Sequence, residues 1–434
     1  LYRGTTPVPQ PKSAEDGYQF TEDMTNEAIA WIGNEQAADP EKPWFVYFST
    51  AGVHAPHQVT PEWREKFKGK FDYGWDKQRE LTFAKQLELG IIPKGTKLTP
   101  RPKKIPAWDD QSEDAKKVYT RLMENYAAYM AYTDYEVGRL IDSLVASGEL
   151  DNTLVIYIVG DNGASAEGGL EGTFSELASL LGVQLGLQST INRIDEIGGP
   201  TSEPHVPVGW AWAMDAPFQW TKQVASHLGG TRNPLVVHWP KGIKSKGEIR
   251  TQFHHVIDVV PTILEAAKIE APGEVKGIAQ KPIEGISIAY SFDDAAAKDR
   301  RRTQYFEMLT NRAIYDHGWV AASRFGYRGR LLGARVIFST RRGNSTISTR
   351  ISARQTTSPP RTRISSRSSK RSSTRKPRNT TSIRSTPGCR SGSTRNCVKA
   401  DRRRRTGPIT ATVCGCLSRS DRNSSREVTR SRPN

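Results

Sequence analysis

The apolar run at residues 153–159, Thr-Leu-Val-Ile-Tyr-Ile-Val, stops abruptly on Gly160-Asp161-Asn162-Gly163. A continuous run of this length, rich in β-branched residues, reads as a buried strand of a layered α/β sheet. Asp and Asn side by side at its carboxyl end offer two hard oxygen atoms to one divalent cation, and the flanking glycines permit the tight turn. Open α/β sheets bind ligands at that end of their strands. Asp-Asn-Gly is also ordinary turn chemistry. A hairpin, however, needs a second strand immediately afterwards, and Ala164-Ser-Ala-Glu-Gly-Gly169 is not one. Asp161 and Asn162 are therefore the expected metal ligands.

Strand and helix patterns alternate on both sides of this run. Thr21-Glu-Asp23 supplies a cap and an acidic first turn for a helix through Ala28, Ile29 and Ile32. Trp44-Phe-Val-Tyr-Phe48 and Pro234-Leu-Val-Val-His-Trp239 read as buried strands. A long amphipathic helix is expected from about Glu113 to Leu144, with another around residues 256–267. Residues 60–110 read as polar and irregular. The fold class expected is α/β, a mostly parallel mixed sheet layered between helices.

The net charge of +17 does not describe this body. From Tyr327 onward lie 28 of the 63 Lys/Arg and only 3 of the 46 Asp/Glu, so the residues before it carry more acid than base. All four cysteines (Cys389, Cys397, Cys414, Cys416) are in the same tail, which leaves the body without a disulfide framework or a thiol nucleophile. Residues 1–326 are read as the folded domain, and 327–434 as a basic Ser/Thr/Arg-rich low-complexity tail, expected to be disordered. The tail also reads as translation in the wrong frame. In the neighbouring register, the codons of residues 342–353 permit the string WELYNIDEDFS. No apolar stretch reaches the ~18 residues of a membrane span, and a chain opening on Leu1 is expected to lack its true start.

Other residues offer chemistry. His54, just past the first strand, can donate a proton to a leaving group because its pKa lies near neutral pH; His57 reads as a rim residue. Lys222 can meet an anionic ester as a compact point charge. Gly229-Gly230 fits close backbone approach to a ligand or an ordinary turn. His254-His-Val-Ile-Asp258 has the composition of a metal cluster, but its apolar spacing fits helix packing better. Asp316-His317 is read as a structural turn. Trp210, Trp212, Trp220 and Phe218 fit an aromatic substrate pocket or the core equally.

Together these pieces resemble the sulfatase family, in particular the bacterial arylsulfatases of the alkaline-phosphatase-like superfamily. The resemblance rests on Pro43-Trp-Phe-Val-Tyr-Phe48 with His54-Ala-Pro-His-Gln58 and on Gly148-Glu-Leu-Asp-Asn-Thr153 through Gly160-Asp-Asn-Gly-Ala-Ser165. It continues in Ala216-Pro-Phe-Gln-Trp-Thr-Lys222, Val236-Val-His-Trp-Pro-Lys-Gly242 and Ile257-Asp-Val-Val-Pro-Thr-Ile263. It implies an alkaline-phosphatase-like layered domain and a small-molecule sulfate ester as substrate. It also implies Asp161 and Asn162 as ligands of Ca2+ (or Mg2+), His54 near the leaving-group oxygen and Lys222 on the sulfate. The implied nucleophile is formylglycine, made from Cys or Ser in a C/S-x-P-x-R motif. No such motif precedes His54, so the expected domain is a sulfatase catalytic domain lacking its N-terminal part, inactive alone. Formylglycine is expected in the missing segment.

Rival readings are a phosphonate monoester or phosphodiester hydrolase of the same superfamily, a degenerate relative that binds sulfated ligands, and a non-catalytic protein binding nucleic acid through its basic tail. The acidic body makes nucleic acid the less expected partner. Asn162 favours one metal over two, since a second zinc needs imidazole at that position. Resequencing the DNA across codons 326 and 327 is expected to reveal a frame change; an uninterrupted frame, with a peptide from the tail seen by mass spectrometry, would refute it.

Overall fold

The computed structural model describes residues 1–183 and 185–324, together with the backbone of the strands Val336–Ser339 and Thr412–Cys414. These residues belong to one compact unit, Leu1–Gln355 with Thr412–Asn434; the second, Thr356–Ala411, lies outside the described residues. So does most of the tail for which disorder and a frame change are expected.

Helix α1 (Phe20–Ala38), strand β1 (Val46–Phe48), helices α2 (Gly74–Glu88) and α3 (Glu113–Ala146) and strand β2 (Val155–Ile158) form the first part of the chain. Helix α4 (Val208–Met214), strand β3 (Leu235–His238) and helix α5 (Val259–Ala267) follow. Strands β4 (Thr303–Met308), β5 (Asn311–Asp316), β6 (Trp319–Arg324), β7 (Val336–Ser339) and β8 (Thr412–Cys414) come last, and short hairpins and helices of one or two turns lie before or between these elements. The α/β layering is the one the sequence implies. No described helix is long and apolar enough to cross a membrane.

The longest helix, α3, is the structural axis. Ser112 caps it by accepting from the Ala115 N–H at 3.2 Å, and Glu113 and Asp114 fill its first turn. One side of its apolar stripe, Val118, Tyr119 and Leu122, packs into a core with Trp75, Trp108 and Trp210. Further along, Leu140 and Leu144 pack with Ala28 and Ile32 of α1 against Trp44, Val46 and Phe48. Trp210 and Trp212 are buried here, which assigns them to the core rather than to a substrate pocket.

Sequence pattern misses α2. Residues 60–110 look irregular because α2 has no clean apolar stripe, yet it is helical and Trp75 and Arg79 anchor it in the core. The Arg79 guanidinium donates to Thr99 Oγ1 (2.6 Å), to the Phe218 carbonyl (2.8 Å) and to the Trp212 carbonyl. Tertiary burial thus overrides local propensity. At α1 the correction is smaller: the helix opens at Phe20 on Gln19, so Thr21 lies inside it rather than capping it.

The sheet also differs from the expected mostly parallel one. Among the described strands only β1 and β8 pair in parallel. β2 and β3 are antiparallel, Val155 opposite His238, and β4 to β7 form an antiparallel sheet in the order β7-β6-β5-β4. β1 and β2 belong to separate sheets although both line one cavity of about 4010 Å3. With no ladder between them, the parallel centre is not built from the described strands. Residues expected to be buried, Tyr47 and Val236 among them, are consequently more than half exposed.

The His254-His255…Asp258 stretch is structural. His255 caps the turn before α5, its ring accepting from the Ile257 N–H, while Asp258 accepts from the His255 N–H at 2.9 Å. Buried Asp258 also accepts from Arg301 Nε (2.9 and 3.1 Å) and the Ile286 N–H (2.8 Å). Burial pushes this carboxyl up, but the hydrogen bonds from Arg301, Ile286 and His255 outweigh it and hold the pKa below the usual aspartate value. Removing one partner of a buried pair costs about 3–5 kcal/mol, so Asp258→Asn is expected to lose about that much in urea unfolding at pH 7. A depressed folded-state pKa gives stability that is complete above the unfolded aspartate pKa and lost as pH falls through the folded value. Wild type should therefore weaken below about pH 4, and Asp258→Asn should lack that component.

Candidate active site

Three loops form the site, and glycines set how closely two of them approach. Gly160 turns the chain out of β2 with φ +78°. At Gly163 a Cβ would lie 1.6 Å from the Gly229 carbonyl oxygen, and at Gly229 one would lie 2.0 Å from that of Trp220. No side chain fits at either position. The Gly229-Gly230 pair therefore serves the packing of backbone on backbone rather than approach to a ligand. The Gly163 N–H donates to Gly230 O (3.3 Å) and the Lys222 N–H to Ala164 O (3.0 Å), which fastens the Lys222 loop beside the Asp161-Asn162 turn. Trp220 (φ 67°) and Gln223 (φ 72°) hold left-handed backbone on either side of Lys222. Such conformations cost energy and persist where the surroundings fix them.

Lys222 Nζ donates to Glu167 Oε2 at 3.0 Å and faces His54 Nε2 at 3.2 Å. The His54 ring donates from Nδ1 to the Ala55 carbonyl at 2.7 Å, which leaves the Nε2 lone pair to accept from the ammonium. His54 is exposed, on the loop after β1. Asp161 and Asn162 line the same cavity as His54 and Lys222. The Asn162 amide donates to Asp161 Oδ1, and its backbone carbonyl accepts from Asn233 Nδ2 at 2.8 Å. The donor chemistry suits a hard cation, but Ca2+ takes six to eight oxygens and this turn supplies two side chains.

Several residues here escaped the sequence reading. Glu167, Glu176 and His205 bring one ligand atom each within 4.8 Å of one another. His205 is buried and its Nδ1 donates to the Val206 carbonyl at 2.9 Å, so the Nε2 lone pair faces Glu176 Oε1 at 3.9 Å. Burial lowers the His205 pKa and raises that of Glu176, the latter helped by the Glu167 charge. Glu167 behaves oppositely: burial pushes it up, but hydrogen bonds from Lys222 and Ser165 and the Lys222 charge outweigh that and lower it. Gln223 Nε2 donates to its other oxygen at 2.8 Å. This cluster has the donors of a metal site, yet the Lys222 ammonium already answers its charge. No spacing rule could have joined Glu167 to His205, which lie in separate Gly-rich and Pro-flanked loops.

His57 is not at a rim. It is 3% exposed, its ring meets Tyr126 edge-on at 4.7 Å, and burial first, then the His205 and His54 charges, lower its pKa well below the usual histidine value. Asp215 is part of the same wall. Its Oδ1 accepts from the Ala164 N–H at 3.0 Å and burial raises its pKa well above the usual aspartate value.

Comparison with known proteins finds the Sulfatase family over residues 2–269 and the N-sulphoglucosamine sulphohydrolase C-terminal family over residues 219–326. An uncharacterized sulfatase of Schizosaccharomyces pombe is 32% identical over 238 residues, covering 54% of this chain and 41% of the relative. An arylsulfatase of Klebsiella aerogenes is 28% identical over 271 residues, covering 62% and 55%. The chain thus spans about half the length of these relatives. Among solved structures, a Bacteroides fragilis sulfatase aligns with 16% identity and a TM-score of 0.40 over 74% of this chain and 51% of its own.

The Lys222–Glu167 pair implies competition between Glu167 and any anion for the ammonium. A partly exposed ion pair is worth about 0–1 kcal/mol, so Glu167→Gln is expected to tighten binding of inorganic sulfate roughly two- to fivefold in isothermal titration. Lys222→Ala should abolish that binding. Weaker sulfate binding by Glu167→Gln would show that the carboxylate supports the lysine rather than competes for it.

Proposed function

The chain belongs to the sulfatase family, and we propose that its site serves hydrolysis of a sulfate monoester of arylsulfatase type. The observation that carries this reading is Lys222 Nζ set 3.2 Å from His54 Nε2 on the wall that also carries Asp161 and Asn162. An ammonium beside an imidazole suits an anionic ester: Lys222 meets a sulfate oxygen, and His54, once protonated, delivers a proton to the departing oxygen. Glu167, itself bound by Gln223, holds the ammonium until substrate competes. A Ca2+ or Mg2+ on Asp161 and Asn162 would polarise a sulfate oxygen.

The nucleophile is a different matter. Residues 1–326 contain no Cys, and none of their Ser residues has both Pro and Arg at the offsets of C/S-x-P-x-R; Ser202 has Pro204 but Val206. These residues do not fit formylglycine, so no step is derived through it. The reading is of a chain that carries the sulfate-facing and leaving-group-facing side of the site without its attacking group.

Purified 434-residue chain is therefore expected to give no steady hydrolysis of an aryl sulfate, and sustained turnover would refute the missing nucleophile. Two ligand side chains should hold Ca2+ only at roughly millimolar strength, with loss of that binding in Asp161→Ala by calorimetry. Micromolar binding, or binding untouched by Asp161→Ala, would move the metal elsewhere. A preference for methylphosphonate over inorganic sulfate in the same titrations would favour a phosphonate ester as substrate.

A further inference from the structure

Two hydrogen-bond acceptors face each other beside Lys222. Because His205 Nδ1 donates to the Val206 carbonyl, its Nε2 presents a lone pair, and that lone pair meets Glu176 Oε1 across 3.9 Å. No described residue donates to either atom, although His205 is only 2% and Glu176 8% exposed. Glu167 brings a third acceptor within 4.8 Å of both. The Lys222 ammonium answers the Glu167 charge, but among the described residues no lysine or arginine pairs with Glu176. Buried acceptors left without a donor or a cation are costly. One bridging cation satisfies all three at once.

The backbone brings these groups together. At Gly168, next to Glu167, a Cβ would lie 2.2 Å from the Val206 carbonyl oxygen and 2.7 Å from His205 Nδ1, so the Glu167 loop rests directly on the histidine. Thr173 and His205 exchange backbone hydrogen bonds at 3.0 Å, and the Glu176 N–H donates to Glu203 O at 2.7 Å, which ties the start of the helix Glu176–Leu180 to the segment carrying His205. A second imidazole stands beside the first. His57, 3% exposed, has its ring 5.3 Å from that of His205, and its Nδ1 has no hydrogen-bond partner.

From this arrangement we propose that Glu167, Glu176 and His205 bind one transition-metal dication of the zinc type, with His57 the nearest further donor. Two carboxylates and an imidazole nitrogen suit such a borderline ion, whereas Ca2+ takes oxygen ligands alone. Four-coordinate zinc sets its nitrogen and oxygen ligands about 3.3 Å apart, so the 3.9 Å between Glu176 and His205 needs only a small side-chain closure. The site uses neither Asp161 nor Asn162. It is independent of which ester is cleaved, and its readout is metal binding rather than hydrolysis.

To test it, the 434-residue chain is alkylated at Cys389, Cys397, Cys414 and Cys416, so that no thiol competes, and titrated with Zn2+ by calorimetry with and without excess Ca2+. One Zn2+ is expected to bind per chain in both conditions. Glu176→Gln and His205→Gln are each expected to weaken that binding at least about tenfold. Glu176→Gln keeps the shape of its side chain, and near-UV circular dichroism confirms that each variant is folded. X-ray absorption at the zinc edge should show nitrogen and oxygen ligands at about 2.0–2.1 Å. Absence of binding by the alkylated chain overturns the proposal, as does binding that either folded variant leaves intact. Removal of the zinc by excess Ca2+ would place it on Asp161 and Asn162 and overturns it as well.

Discussion

Backbone rests directly on backbone at Gly163 and Gly229, and the rest of the site follows from that contact. Because neither position has room for a Cβ, the loop after β2 and the loop before β3 approach closely enough for Gly163 to bond Gly230 and for Lys222 to bond Ala164. Those bonds determine where the lysine side chain starts. Glu167, itself held by Gln223, determines where it ends, at the cost of left-handed backbone at Trp220 and Gln223. A cation is thereby held against His54 on a surface otherwise rich in apolar side chains.

How much of this is legible in the sequence depends on the range of the interaction. The Gly160-Asp161-Asn162-Gly163 step is visible because strand periodicity and turn chemistry are local, and α3 is visible because its cap and apolar stripe are. His54 and Lys222 are identifiable as candidates, but their 3.2 Å approach is not, since it spans 168 positions. Glu167, Glu176 and His205 leave no pattern at all. Glu167 and His205 sit in loops and Glu176 opens a short helix, Glu176–Leu180, and distant contacts bring the three together, so no period or spacing marks them.

Helix α2 shows the same rule in the core. Its sequence is polar enough to read as loop, yet Trp75 and buried Arg79 tie it to Phe218 and Trp212 on the segment that leads into the Lys222 loop. A buried guanidinium is tolerated because carbonyls and a hydroxyl satisfy its donors. Burial nevertheless pulls its pKa down to about 10, the direction expected when a charge leaves water with little counter-charge nearby. The core beneath the site is thus held partly by polar bonds that an apolar pattern cannot reveal.

The sheet edges follow the same rule as the site. β1 delivers His54 and β2 delivers Asp161 and Asn162, and these strands belong to different sheets around one cavity. A run of apolar residues marks Tyr47 and Val236 for burial, yet both are more than half exposed, which leaves apolar surface in water at about 25 cal/mol per Å2. Local pattern selects the strands, but which strand lies beside which is decided by long-range pairing that no short run specifies.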